Sequence, residues 1–169
     1  MILTPGLRAC RLACAAVLLA GALPVHADDL FTTIENKPLS EVWLNPGFYS
    51  YHFQRDKHLN DRNPGIGAEY RFSTVASVTA GRFYNSDRLY SNYAGIYYQP
   101  FALGPVRLGA VAGGFNGYPN MRSGGWFLAA IPTLSAEYKS VGVNVAIVPS
   151  YKDRLYGAIS VQLKLKVFE

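Results

Sequence analysis

The sequence predicts an all-β fold: an antiparallel eight-stranded transmembrane β-barrel with a short N-terminal amphipathic helix. Three observations predict it. Across residues 49–72, one alternating face holds Tyr49, Tyr51, Phe53, Ile66, Ala68, Tyr70 and Phe72, and the other holds Ser50, His52, Gln54, Gly65, Gly67, Glu69 and Arg71. An aromatic face backed by polar side chains and glycine reverses the pattern of a soluble sandwich and suits strands whose outer side meets lipid. The chain is 50% hydrophobic, with 12 Tyr and 9 Phe, yet after residue 27 no run approaches a membrane-spanning helix, which needs roughly 18 apolar residues. Finally, the strand candidates are even in number, and the connections between them alternate between short and long.

Residues 1–27 read as a cleaved signal peptide. Arg8 and Arg11 supply the basic start, an apolar stretch follows, and Val25, His26 and Ala27 fit a signal-peptidase site. Cleavage before Cys14, as in a lipoprotein, is disfavoured because Arg11 stands where that signal needs an aliphatic residue. Both cysteines, Cys10 and Cys14, leave with the leader, which removes disulfide, thiolate and cysteine–metal chemistry. Loss of Arg8 and Arg11 lowers the formal charge from +5 to +3, too small a surplus to suggest a nucleic-acid partner when no basic stripe accompanies it.

Residues 28–45 form the expected N-terminal amphipathic segment. Leu30, Phe31 and Ile34 share one helical face, Asp28 and Asp29 favour the helix start, and Pro38 breaks or kinks it. The segment is either a surface plug or an interfacial helix that clamps the barrel. Residues 46–169 form the barrel, with strands expected near 47–56, 64–73, 75–86, 90–100, 105–116, 126–138, 141–150 and 156–168. The turns at 73–74, 101–104 and 139–140 are short; the connections at 57–63, 116–125 and 151–155 are longer and polar. The last strand alternates cleanly, with Ile159, Val161, Leu163, Leu165 and Val167 against Ser160, Gln162, Lys164 and Lys166. Eight strands leave room for side chains or one slender ligand, not for a porin channel.

The order of motifs resembles the lipid A palmitoyltransferases of Gram-negative outer membranes, the PagP family. The stretch 27–33 (ADDLFTT) is similar to the family's opening, and Tyr51, His52 and Phe53 match the strand that bears its histidine. Asp61, Arg62, Asn63, Pro64 and Gly65 resemble the start of its second strand. Residues 83–86 (FYNS) fall on its catalytic Asp-Ser pair, and 129–135 and 146–150 match two strand prolines, Pro132 and Pro149. The resemblance implies an eight-stranded barrel with an interior hydrocarbon pocket. It also implies location in a Gram-negative outer membrane and transfer of an acyl chain from phospholipid to lipid A. His52, Asn85 and Ser86 would be catalytic; Tyr97, Pro132, Pro149, Arg62 and Arg88 would contact substrate. No cofactor or metal is implied, and the protein is expected to be a monomer.

Two departures stand out. The family's aspartate is Asn85 here, an amide that can orient a histidine but gives it no charge; Glu69 or Asp56 could substitute, or Ser86 and His52 could act with less help. Tyr97 stands where palmitate-selecting members carry a pocket-floor glycine, so a shorter acyl chain is expected.

Each residue also has a plainer reading. His52 is either a general base or acid, or one more polar group in a barrel interior, and Asn85 with Ser86 could be an ordinary turn. His58 reads as a solvated loop residue. Arg62, Arg82, Arg88 and Arg122 could pair with lipid A phosphates or simply form a soluble rim. Glu69 and Arg71 point inward as polar filler or as tuners of His52. Pro132 and Pro149 either open a gap in the hydrogen-bond ladder, which in the resembling family admits lipid sideways, or mark strand bends. A non-catalytic barrel with a lipid-binding or envelope-integrity role is the alternative function, and a lipid A deacylase is the third.

Overall fold

Nine antiparallel strands carry the described residues, 30–169, of the computed structural model. They are β1 (Phe31–Thr33), β2 (Pro38–His52), β3 (Arg62–Ser73), β4 (Ala76–Tyr84), β5 (Tyr90–Leu103), β6 (Val106–Phe115), β7 (Phe127–Tyr138), β8 (Val141–Val148) and β9 (Ala158–Phe168). From β2 to β9 each strand pairs with the next, and β9 returns to β2. Eight strands therefore close a barrel, as expected. Tight turns at 74–75, 104–105 and 139–140 gather at one end, and the longer connections at 53–61, 85–89, 116–126 and 149–157 gather at the other. The leader read over residues 1–27, with Cys10, Cys14 and His26, lies outside the described residues, as do Asp28 and Asp29.

The expected N-terminal helix is not what residues 31–43 form. Phe31–Thr33 is the short strand β1, paired with Phe101, Ala102 and Leu103 on the overhanging end of β5. Phe31 stacks on Phe101 with ring centres 5.6 Å apart, and Ile34 N–H donates to the Pro100 carbonyl at 2.7 Å. A free strand edge thus supplies the backbone partners that a helix would otherwise have made internally. The barrel itself begins at Pro38 rather than near residue 46. Pro38 does not break a helix; it opens a strand, a position where its missing donor costs little.

A bulge at Pro46 and Gly47 divides β2 into two halves with opposite faces. The β2–β3 register slips between Asn45/Gly67 and Gly47/Pro64, and the β2–β9 register slips between Leu44/Leu165 and Tyr49/Val161. Below the bulge Glu41, Trp43 and Asn45 are buried; above it Ser50 and His52 are buried while Tyr49 and Tyr51 are exposed. One inserted residue moves every later side chain to the other face. Gly47 is required there: its φ is +100°, and a Cβ would lie 2.2 Å from the Asn63 carbonyl oxygen.

Charge fills the turn end of the interior. Arg71 lies 3.1 Å from Glu41 and 3.6 Å from Glu69, and also binds Glu137. Lys164 Nζ sits 2.9 Å from both Glu69 and Glu137, and Lys166 sits 3.1 Å from Glu41. The Trp43 ring lies among Arg71, Lys164 and Lys166, and its Nε1–H donates to Glu41 at 3.0 Å. Buried charges are tolerable only when paired in this way. Glu69 and Arg71 are therefore structural filler. Above them Gln99 donates to Thr133 and Ser135, and Ser135 to Asn144. Outside, large apolar side chains stay exposed on every barrel strand but β6, Leu128 at 86% and Ile66 at 72% among them. Among the described residues no helix is long and apolar enough to cross a membrane.

Candidate active site

His52 ends β2 on the inner face, only 3% exposed, because the bulge has set that face. The chain returns from the 53–61 connection with Ser50 N–H donating to the Asp61 carbonyl at 2.8 Å. That bond puts the Asp61 side chain beside the imidazole. Asp61 Oδ1 lies 2.8 Å from His52 Nδ1, and Ser86 Oγ lies 2.8 Å from His52 Nε2. An ionised carboxylate can only accept, so Nδ1 carries the proton and Nε2 is the acceptor for the Ser86 hydroxyl. Carboxylate, imidazole and hydroxyl stand in line, an arrangement that can activate a hydroxyl as a nucleophile.

Asn85, expected to orient His52, does something else. It is fully buried; its Oδ1 accepts from Asp87 N–H at 2.9 Å and Leu89 N–H at 3.0 Å, and its Nδ2 donates to Ser91 Oγ and the Gly117 carbonyl, each at 2.8 Å. Two of these bonds close the turn that presents Ser86 and two tie it to β5 and the 116–126 connection, and the orienting contact on the imidazole belongs to Asp61. Neither substitute carboxylate fills that role. Asp56 is exposed beside Lys57, and Glu69 bonds Ser77 and Lys164 in the charged layer. Asp61 was visible in sequence only as part of a loop motif. Its one cue was that a hairpin returning to β2 must bring some residue level with Ser50, and that registry is fixed only on folding.

Below His52 lies an apolar cavity of about 130 Å³. Phe83, Val111, Phe115, Phe127 and Ile131 form much of its wall, and Ser50 and Ser160 form a polar strip 2.9 Å apart. Tyr97, Thr79, Asn144 and Gln162 are the lining residues farthest from the mouth on their strands, so they make the floor. Tyr97 thus occupies the bottom of the cavity. From Ala158, paired with His52, to Gln162 on the same strand is roughly 13 Å of extended chain.

Pro132 and Pro149 border an opening in the barrel wall. The β7–β8 ladder stops at Thr133/Ala146, leaving residues 127–132 and 147–148 unpaired with one another. Phe127, Ala129 and Ile131 on one side of that gap, and Ala146 and Val148 on the other, all line the cavity.

At the mouth, Asp87 is half-buried and burial raises its carboxyl above the usual range, while His52 acts in the opposite direction. Burial likewise raises the Tyr118 phenol, with Asp87 adding to the effect. Arg88 follows in the Ser86 turn and donates to the His58 carbonyl at 2.9 Å. Arg62, next to Asp61 in the chain, lies exposed at the start of β3. Among the described residues no cluster of three metal-ligating side chains occurs. No protein-family model matches the chain, and no curated protein matches it.

Proposed function

We propose that the protein is an outer-membrane acyltransferase that moves an acyl chain from a phospholipid to lipid A. The observation that carries the reading is the Asp61–His52–Ser86 line at the mouth of an apolar cavity. The exposed apolar belt of a closed barrel supports placement in a bilayer. The motif order shared with the PagP family supports lipid A as acceptor.

In this mechanism the donor's acyl chain lies in the cavity with its ester carbonyl at Ser86. Ser86 Oγ attacks the carbonyl carbon as His52 Nε2 takes the hydroxyl proton, and Asp61 holds the imidazolium that forms. The C–O bond to glycerol breaks, and His52 returns the proton to that leaving oxygen, so a lysophospholipid departs and the acyl group remains as a serine ester. An acceptor hydroxyl then attacks the ester, His52 takes its proton, and Ser86 recovers it as the acyl group moves on. The gap beside Pro132 and Pro149 offers lipid a sideways route to the cavity, and the Tyr97 ring at the cavity floor favours a chain shorter than palmitate.

A lipid A deacylase is the second reading, favoured by the same triad, since water can replace the acceptor hydroxyl. A non-catalytic barrel is the remaining reading, in which the Asp61–His52–Ser86 line serves only as satisfied polar filling of the interior. Mass spectrometry of lipid A from cells expressing the wild type, His52→Ala or Ser86→Ala separates the three. One added acyl chain, lost in both variants, is expected. One lost chain assigns the deacylase, and no change with both lipids present and the barrel assembled overturns both enzymatic readings.

A further inference from the structure

A second hollow, about 320 Å³, opens beside the triad and shares His52 with the apolar cavity. Its chemistry is different: Arg55, His58, Asp61 and Arg88 line it. Neither guanidinium is saturated. Arg55 Nη1 reaches Asp61 Oδ2 only at 3.5 Å, and Arg88 Nη2 makes one bond, to the His58 carbonyl. Each has five N–H donors in a fork that matches phosphate oxygens. Two guanidinium charges against one Asp61 carboxylate leave a single positive charge facing the cleft, the complement of a phosphodiester.

The cleft is also built under strain. His58 and Arg88 hold φ of +51° and +60°, the left-handed region that side chains other than glycine rarely occupy. Cross-loop bonds hold them there: Arg88 to the His58 carbonyl, Asn60 N–H to the Ser86 carbonyl at 3.0 Å, and Asn60 Nδ2 to the Asn85 carbonyl at 3.1 Å. Those bonds fix the Arg88 loop against the Asp61 loop, so the cleft and the triad form one unit. Strain of this kind persists only where the surroundings over-determine it.

We infer that this cleft is the phosphate subsite of the acyl-donating lipid, an inference that rests on the acyl-transfer reading. In a glycerophospholipid the phosphate lies a few bonds from the acyl ester. With the ester carbonyl at Ser86 and the chain in the cavity, the phosphate falls on the Arg55–Arg88 side of His52.

The test uses the full-length Ser86→Ala protein in detergent micelles, where no turnover disturbs occupancy. Phenylglyoxal labelling of arginines is followed by peptide mass spectrometry with phosphatidylglycerol, diacylglycerol of the same chains, or lipid A. Phosphatidylglycerol should slow labelling of Arg55 and Arg88 by about tenfold, with Arg122 as the unprotected control. Equal protection by diacylglycerol, or none by phosphatidylglycerol, overturns the subsite. Protection by lipid A alone overturns the donor assignment and gives the cleft to the acceptor's phosphates. In the Ser86 enzyme, Arg55→Gln with Arg88→Asn, which keeps a residue tolerant of the left-handed backbone, should lower the phosphatidylglycerol-to-diacylglycerol ratio of kcat/KM by about tenfold. An unchanged ratio overturns the proposal. Absence of acyl transfer with protection intact removes the chemistry and leaves the phosphate site, so the two failures read separately.

Discussion

At the residue scale, the resemblance and the folded geometry assign different jobs to two neighbouring polar groups. Sequence matching places Asn85 on the family's aspartate, whereas the carboxylate that touches His52 is Asp61. Asp61→Asn should therefore lower acyl transfer by about two to four orders of magnitude with the barrel assembled, since an amide neither stabilises imidazolium nor enforces the tautomer. Asn85→Asp should give no gain in activity and should destabilise the protein by about 2 kcal/mol or more, because Ser91 Oγ and the Gly117 carbonyl lose their donor. Denaturant midpoints and turnover of the two variants check both statements. A rise in activity with Asn85→Asp would return the orienting role to position 85. The inward aim of His52 follows from period-2 alternation, which gives side-chain direction without reference to partners, whereas Ser86 lies beyond the end of β4 in the 85–89 connection. Asp61 could not be singled out in this way, because its role depends on how a nine-residue connection closes.

At the element scale, β2 shows how one irregularity positions the site. The alternation Tyr49/Ser50/Tyr51/His52 gives the upper face correctly, and the opposite parity of Glu41, Trp43 and Asn45 is hidden by Pro46 and Gly47, which look like a strand boundary. Gly47→Ala should cost about 2–4 kcal/mol, because it combines a strained φ with a Cβ 2.2 Å from a backbone oxygen. The predicted readout is a lower unfolding midpoint and loss of the native heat-dependent gel shift. Wild-type stability would show that the bulge relaxes without consequence. The N-terminal segment departs from the expected helix for a related reason. Leu30, Phe31 and Ile34 satisfy a helical spacing, but over so short a stretch that spacing does not exclude a strand, and the overhanging edge of β5 decides between them.

At the scale of the whole molecule, the interior divides into a charged layer and an apolar cavity. Arg71 bridges Glu41, Glu69 and Glu137. Arg71→Met should destabilise by about 3–5 kcal/mol, since it strips carboxylates of a buried partner; the urea midpoint reports it, and a change under 1 kcal/mol would mean that Lys164 and Lys166 suffice. Above that layer, Tyr97 sets the depth of the cavity. Tyr97→Gly should lengthen the acyl chain carried on lipid A, read by mass spectrometry, and an unchanged chain length would place the limiting contact elsewhere on the floor.

Alternation, composition and the rhythm of turns by themselves determined the antiparallel eight-stranded barrel, its short and long ends and the inward aim of His52. These are properties of single strands and of their order, and the side-chain period of two carries them without any knowledge of neighbours. The tertiary structure alone decided that Asp61 meets His52, that Asn85 serves its turn, that residues 31–33 pair with β5, and that Arg71, Lys164 and Lys166 find carboxylates inside the barrel. Each of those depends on register between segments distant in sequence. Register is set by bulges, loop closure and the pairing of buried charge, which exist only once the sheet has closed.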